Sequence, residues 1–109
     1  MNIIEELTEV LRARKSASAD DSYVASLYEA GIDKILAKID EEATEVVTAG
    51  RAADGAGRNE DLVREVADLW FHCMVLLVYR DQDPARVLAE LERRFGVSGH
   101  QEKASRSGR

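Results

Sequence analysis

Residues 38–45 read Lys-Ile-Asp-Glu-Glu-Ala-Thr-Glu, and a second acidic segment, Glu-Val-Ala-Asp, occupies positions 65–68. On helices of about 3.6 residues per turn, Glu42 with Glu45 and Glu65 with Asp68 each place two carboxylates one turn apart on one face. Like charges at this spacing repel each other, so two such pairs brought together require a compensating cation. We therefore expect two facing helices with a cation-binding site between them.

The rest of the chain also predicts helices. Apolar residues recur at helical spacing, no segment alternates as a strand would, and no internal repeat is present. Caps and glycines set the boundaries, with Asn59 and Asp83 as N-caps and Gly31 and Gly96 as stops. The predicted helices span residues 3–14, 23–30, 32–49, 60–80 and 84–95, with loops at 15–21 and 50–58. We expect an all-α bundle of four to five helices.

The third predicted helix carries an apolar arc, and its acidic residues lie beside this arc. If the helix is drawn at about 100° per residue, Glu42 falls at the edge of the arc, and Lys38 and Glu45 fall just beyond it. The arc itself consists of Ile35, Leu36, Ile39, Ala43, Val46 and Val47. The acidic side chains are therefore expected at the rim, neither in the core nor on the far side.

The fourth predicted helix is apolar almost all round from residue 69 to residue 79. In a chain of this size such a helix requires burial on more than one side. Four other short helices can hardly cover it, so we expect a homodimer or larger oligomer with this helix at its centre.

The bulk properties exclude several classes. A chain of 109 residues forms one domain, here residues 1–96, followed by a tail at 97–109 that is rich in Ser, Gly and charge. The net charge of −6 argues against nucleic acid and anionic membranes as partners. Cys73 is the only cysteine, which excludes an intrachain disulfide. The N-terminus lacks a signal-peptide pattern and no apolar run is long enough to span a bilayer, so we expect a cytoplasmic protein.

Acidic pairs on helices are usually solvated, but Asp68 differs from the others. It lies between Ala67 and Leu69, where the most apolar helix begins, and an unpaired charge there would be costly. One explanation is an ion pair of Asp68 with His72, Lys34 or Lys38. The other is a divalent cation held by both acidic segments. Hard cations such as Mg²⁺ prefer oxygen ligands and are shared with phosphate-bearing substrates, whereas zinc is less favoured without cysteine ligands.

Five separated segments carry a family resemblance. They are Ser22-Tyr23-x-x-Ser26-Leu27, Gly31-x-x-Lys34-Ile35, residues 38–47, Ala67-Asp68-Leu69-x-x-His72, and Ser98-Gly99-x-x-Glu102-Lys103-Ala104-Ser105-Arg106. In order and spacing they resemble the phosphoribosyl-ATP pyrophosphatases, within the all-α nucleotide pyrophosphohydrolase superfamily. The resemblance implies a MazG-like helical bundle completed by dimerisation. It also implies Mg²⁺-dependent hydrolysis of phosphoribosyl-ATP to phosphoribosyl-AMP and pyrophosphate, the second step of histidine biosynthesis.

The resemblance also implies roles for particular residues. The implied metal ligands are Glu42, Glu45, Glu65 and Asp68. Glu41 is an added acidic group, and either Glu41 or Glu45 is a candidate for the base that takes the proton of the attacking water. The implied substrate-binding residues are Lys34, Lys38, His72, Lys103 and Arg106. For His72 the alternative is a satisfied core histidine, and for the tail the alternative is a mobile terminus.

Two other functions remain open. The metal motif alone does not determine which nucleobase is recognised. The chain could therefore instead be a housecleaning hydrolase of ordinary or modified nucleoside triphosphates. It could also be a non-catalytic helical dimerisation module whose acidic face is only solvated or ion-paired.

Overall fold

The computed structural model describes residues 1–55 and 57–96, and everything regular in this part of the chain is helical. The helices are α1 (Ile3–Ala13), α2 (Tyr23–Ala30), α3 (Ile32–Ala52), α4 (Gly57–Tyr79) and α5 (Ala85–Phe95), with a 3₁₀ turn at Arg14–Ser16. The predicted all-α fold is confirmed. None of the described helices is long and apolar enough to cross a membrane.

Side-chain caps begin three of the helices. The side chains of Asn2 and Ser22 each accept a hydrogen bond from the backbone amide three residues later, at 2.9 and 3.1 Å. Asp83 accepts one from the amide two residues later, at 2.9 Å. These bonds satisfy amides that have no partner within the first turn of a helix, so short polar residues fix where α1, α2 and α5 begin.

A single glycine separates α2 from α3. Gly31 has φ of 98°, a left-handed conformation that favours glycine over every other residue. Its amide donates to the carbonyl of Leu27 at 3.0 Å, and its own carbonyl accepts from the amide of Ile35 at 3.2 Å. The chain thus ends one helix and starts the next without an intervening loop, which holds α2 in a fixed position against α3.

The boundary between α3 and α4 differs from the prediction. Helix α3 continues to Ala52 and α4 begins at Gly57, so the connection lies within the predicted loop at 50–58 but is shorter than predicted. Gly50 lies within α3 facing Leu62 of α4, whose side chain is 3.9 Å from the position of an added Cβ. Asn59 is not the N-cap of α4, and its side chain instead accepts a 3.4 Å hydrogen bond from the amide of Gly55.

Helices α3 and α4 are antiparallel and form the centre of the bundle. A short connection joins them, and the pairing of Gly50 with Leu62 is followed along the helices by that of Glu42 with Glu65. Helices α1 and α2 cover one side of this pair. The buried apolar core consists of Leu11, Val24, Leu27, Ile35, Met74, Val75 and Val78.

Among residues 1–55 and 57–96, nothing fully covers the other side of α4. Its buried residues lie on one side, whereas Trp70 is 64% exposed. Helix α5 likewise leaves its apolar residues half exposed, and Leu36 and Val47 of the predicted arc on α3 are exposed. Within the described residues α4 is buried on one side only, which agrees with the expectation that a single chain of this size cannot cover this helix.

We expect Leu11→Ala to lower the free energy of unfolding by about 2–5 kcal/mol, because Leu11 is completely buried and its truncation leaves a cavity. Ile3→Ala on the same helix is the matched control, since Ile3 is 69% exposed. Urea denaturation at one protein concentration measures both changes. Equal effects of the two substitutions would show that the core is placed wrongly.

Candidate metal centre

The α3–α4 pair brings acidic side chains of both helices together. Glu42 and Glu45 lie one turn apart on α3, and Glu65 lies opposite them on α4. One carboxylate oxygen of each residue lies within 4.8 Å of the others. We call these three residues the acidic cluster. Three of the four predicted metal ligands are thus neighbours in space, although about twenty residues separate the two segments in the sequence.

Glu42 is buried more deeply than the sequence predicts. Only 7% of the residue is exposed, so the expectation of a position at the rim is wrong. Its Oε2 and the Oε2 of Glu65 are both buried and have no hydrogen-bond partner among the described residues. A buried acceptor without a partner is costly, and a carboxylate oxygen more so. Two such oxygens in one cluster provide what a divalent cation requires.

The electrostatics of the cluster agree with this geometry. Burial raises the pKa of the Glu42 carboxyl, and the neighbouring Glu45 carboxyl raises it further, whereas His72 and Lys38 act in the opposite direction. Burial and the nearby carboxyl thus both disfavour the charged form of Glu42. A cation bound there would remove this repulsion.

Lys38 supplies part of the positive charge that balances these carboxylates. Its ammonium lies 3.1 Å from Oε2 of Glu41 and 3.6 Å from Oε1 of Glu42. The hydrogen bond with Glu41 is the main reason that the pKa of Lys38 is raised. Lys34, one turn earlier on α3, is exposed. A charged ammonium therefore lies beside the acidic cluster, and a second lies one turn away.

Asp68 is placed differently from the prediction. It is exposed, and it does not belong to the group of oxygens within 4.8 Å, so the apolar setting inferred from its neighbours in sequence is wrong. Within the described residues its carboxylate forms no ion pair with His72, Lys34 or Lys38. It lies one turn after Glu65 on α4, so the two residues share one face of the helix. Asp68 thus borders the acidic cluster.

His72 is buried, with 6% exposed, and both of its ring nitrogens have partners. Nδ1 lies 2.7 Å from the backbone carbonyl of Asp68, and Nε2 lies 2.8 Å from the hydroxyl of Tyr23. Both ring nitrogens are thus hydrogen-bonded within the protein, which agrees with the alternative of a core histidine. Tyr23 received no role from sequence reasoning, and the only signal was its place in the Ser22-Tyr23 segment of the family resemblance.

A groove starts at the acidic cluster and follows α3 and α4 towards their connection. Its volume of about 520 Å³ lies within the range of nucleotide-sized pockets. It is lined by Glu45, Thr48, Ala49, Ala52, Arg58, Asp61 and Glu65. Lys103 and Arg106, predicted to bind substrate, lie outside the described residues.

The fold and the cluster together define a class of protein. It is an all-α protein in which two adjoining helices present a carboxylate centre, without sulfur ligands, that suits a hard divalent cation.

The family model for phosphoribosyl-ATP pyrophosphohydrolase matches residues 4–95. Two relatives named phosphoribosyl-ATP pyrophosphatase are similar over almost their whole length. The one from Hydrogenovibrio crunogenus is 52% identical over 106 residues, 97% of this chain and 94% of the relative. The one from Geobacter metallireducens is 56% identical over 105 residues, 96% of this chain and 93% of the relative. The chain belongs to the phosphoribosyl-ATP pyrophosphohydrolase family.

Glu42→Gln should raise the melting temperature of the metal-free protein at neutral pH, because it removes a desolvated charge. The sign follows from the raised pKa of Glu42: the folded state holds this proton more tightly than the unfolded state, so stability falls as the pH rises towards the folded pKa. The same substitution should abolish the stabilisation that Mg²⁺ gives to the unsubstituted protein. Scanning calorimetry with and without Mg²⁺ measures both effects.

Glu60→Gln is the control for this experiment, since Glu60 lies exposed in the first turn of α4. It should leave the response to Mg²⁺ intact. A normal Mg²⁺ response in Glu42→Gln, or none in the unsubstituted protein, would exclude the acidic cluster as the cation site.

Proposed function

We propose that Glu42, Glu45 and Glu65, with Asp68 at their border, hold Mg²⁺ for the hydrolysis of phosphoribosyl-ATP. The reaction yields phosphoribosyl-AMP and pyrophosphate in histidine biosynthesis, which is the activity that the two relatives' name indicates. The observation that carries the metal assignment is the pair of buried carboxylate oxygens without partners. Carboxylate oxygens of a merely solvated acidic face would be exposed to water, whereas both of these are buried.

Magnesium is favoured over other cations by the donor set. The cluster offers carboxylate oxygens alone, and Mg²⁺ typically binds one or two carboxylates together with substrate phosphates and several waters. The cation, when bound, neutralises phosphate charge and favours attack by water with pyrophosphate as the leaving group. Asp68, exposed beside the cluster, can approach such an ion by a change of side-chain rotamer.

Lys38 and Lys34 are proposed to bind the phosphates. At present Lys38 is shared between Glu41 and Glu42. A cation on Glu42 would weaken the attraction of that carboxylate for the ammonium, which leaves Lys38 available to a phosphate oxygen as a point charge. Glu41 is exposed and within reach of the same region, so it is a candidate for the base that takes a proton from water. Glu45 is the alternative base.

The rival functions are distinguished by their chemistry. A non-catalytic dimerisation module would not require two unpartnered buried oxygens in one cluster. A housecleaning hydrolase would share the same centre and differ only in the nucleoside that it accepts. Product analysis with phosphoribosyl-ATP and a panel of nucleoside triphosphates decides between the two enzymes, and comparable turnover of dUTP or dCTP would favour the rival.

Glu42→Gln and Asp68→Asn should each reduce the hydrolysis of phosphoribosyl-ATP by about 100-fold or more while the fold survives. Each substitution keeps the shape of the side chain and removes its charge. Release of pyrophosphate measures the rate, and circular dichroism checks the fold. Glu9→Gln, on the exposed face of α1, should keep full activity. Near-normal turnover in Asp68→Asn would remove Asp68 from the site.

We further propose that the chain forms a homodimer through the uncovered face of α4 and α5. Trp70 is 64% exposed, and four large apolar residues of α5 are between 41% and 48% exposed. A groove of about 290 Å³ runs between α1, α4 and α5, and its lining is almost wholly apolar. It is lined by Ile4, Trp70, Cys73, Met74, Leu77, Pro84, Val87, Leu88 and Leu91. Contiguous apolar surface of this kind marks an association site, and a second copy offers a matching surface.

Trp70→Arg should therefore convert the dimer to monomer at micromolar concentration, because it places a charge within the apolar face. Val63→Arg is the matched control: Val63 is 62% exposed on the same helix and lies outside the groove. Sedimentation velocity measures both variants. Dissociation caused equally by both substitutions would place the interface elsewhere.

A cytoplasmic location is also proposed. Cys73 is a free, half-buried thiol, which suits a reducing compartment. The net charge of −6 disfavours nucleic acid as a partner.

A further inference from the structure

The groove that starts at the acidic cluster carries a positive charge at its other end. Each of its two walls is one helix face, with Glu45, Thr48, Ala49 and Ala52 on α3 and Arg58, Asp61 and Glu65 on α4. These positions recur at intervals of three and four residues, so each wall runs along its helix from the carboxylates to the α3–α4 connection. Arg58 precedes Glu65 by two helical turns, which separates their backbones by about 10 Å.

The acidic residues of the groove are balanced by cations in different ways. Asp61, between the two ends, is ion-paired with Arg64 on the same helix. Glu45 and Glu65 belong to the acidic cluster, where a bound divalent cation would neutralise them. With its cation in place, the groove therefore presents positive charge at both ends: the cation at one end and the guanidinium of Arg58 at the other.

Arg58 retains hydrogen-bond donors for a ligand. Its Nη1 lies 3.1 Å from Oδ2 of Asp54, and both side chains are largely exposed. An exposed ion pair of this kind contributes little free energy, so an anion with a higher charge can compete for the guanidinium. The guanidinium carries five N–H donors in a planar fork that matches two oxygens of a phosphate, and the bond to Asp54 occupies one nitrogen.

The part of the groove between its two ends suits an uncharged group. Ala49 and Ala52 present only methyl groups, which allow a flat ring to approach α3 closely. The hydroxyl of Thr48 donates to the backbone carbonyl of Thr44 at 3.1 Å. Its oxygen can therefore still accept a hydrogen bond from a base or a sugar.

Phosphoribosyl-ATP has a matching distribution of charge. It carries a triphosphate at one end and the phosphate of its additional ribose at the other, with uncharged sugar and base between them. We propose that Arg58 binds the phosphate of the phosphoribosyl group and is thereby a specificity-determining residue that distinguishes phosphoribosyl-ATP from ATP. The inference rests on the proposed function, because it presumes that the triphosphate lies at the acidic cluster. A metal centre by itself cannot recognise this additional group, since ATP offers it the same triphosphate.

The test is the binding of three ligands to the unsubstituted protein and to Arg58→Gln in the presence of Mg²⁺. The ligands are phosphoribosyl-AMP, AMP and pyrophosphate, and isothermal titration calorimetry measures their dissociation constants. Loss of one charged hydrogen-bond partner should weaken the binding of phosphoribosyl-AMP by about tenfold. The binding of AMP and of pyrophosphate should not change, because neither carries the additional phosphate. The KM for phosphoribosyl-ATP should rise by a similar factor at constant kcat.

Two further variants separate recognition of this phosphate from a general effect of charge. Arg58→Lys keeps a cation without the planar fork and should recover part of the lost affinity. Arg51→Gln is the matched control, since Arg51 is an exposed cation in the last turn of α3 and does not line the groove. It should leave the affinities for all three ligands unchanged.

Unchanged binding of phosphoribosyl-AMP in Arg58→Gln would overturn the proposal. An equal weakening of AMP or pyrophosphate would also overturn it, because Arg58 would then act on the phosphates at the metal or through the net charge. An equal loss in Arg51→Gln would have the same meaning.

The calorimetric experiment also keeps this proposal distinguishable from the proposed function, because it requires no turnover. If the unsubstituted protein binds phosphoribosyl-AMP through Arg58 but does not hydrolyse phosphoribosyl-ATP, the proposed function fails and the role of Arg58 stands. If the protein hydrolyses phosphoribosyl-ATP and Arg58→Gln does so with an unchanged KM, the role of Arg58 fails and the proposed function stands.

Discussion

The structure depends on the packing of α3 against α4 at the point where Glu42 and Glu65 bury unpartnered carboxylate oxygens. Both oxygens lie at the interface of the two helices and have almost no accessible surface. A desolvated carboxylate is unfavourable, so the rest of the interface must offset its cost. The same desolvation would strengthen the attraction of this site for a cation.

Core and site are therefore two parts of one helix pair. On α4, His72 is hydrogen-bonded to Tyr23 of α2, and Val75, less than one turn later, belongs to the core. Helix α2 is joined to α3 by the single residue Gly31.

The apolar residues left uncovered are also informative. Trp70 and the apolar side of α5 surround a groove that the other described helices do not fill. A bundle of this size has too little apolar surface of its own to bury every such residue. Association of two chains would bury this face on the side of α4 opposite the core, so that the stability of the helix carrying Glu65 would depend on the partner.

The sequence alone determined the helices, most of their caps and the acidic residues that meet, because these depend on local periodicity and on the chemistry of single residues such as Ser22 and Asp83. It did not determine the end of α3, since one glycine inside a helix is tolerated and the helix continues past Gly50 to Ala52. Nor did it determine that Glu42 is buried while Asp68 is exposed. Rotation of a helix about its axis moves residues at the edge of its apolar face between buried and exposed positions. Only the packing of α3 on α4 fixes that rotation. The bond between Tyr23 and His72 joins residues 49 positions apart, and only the tertiary structure decides it.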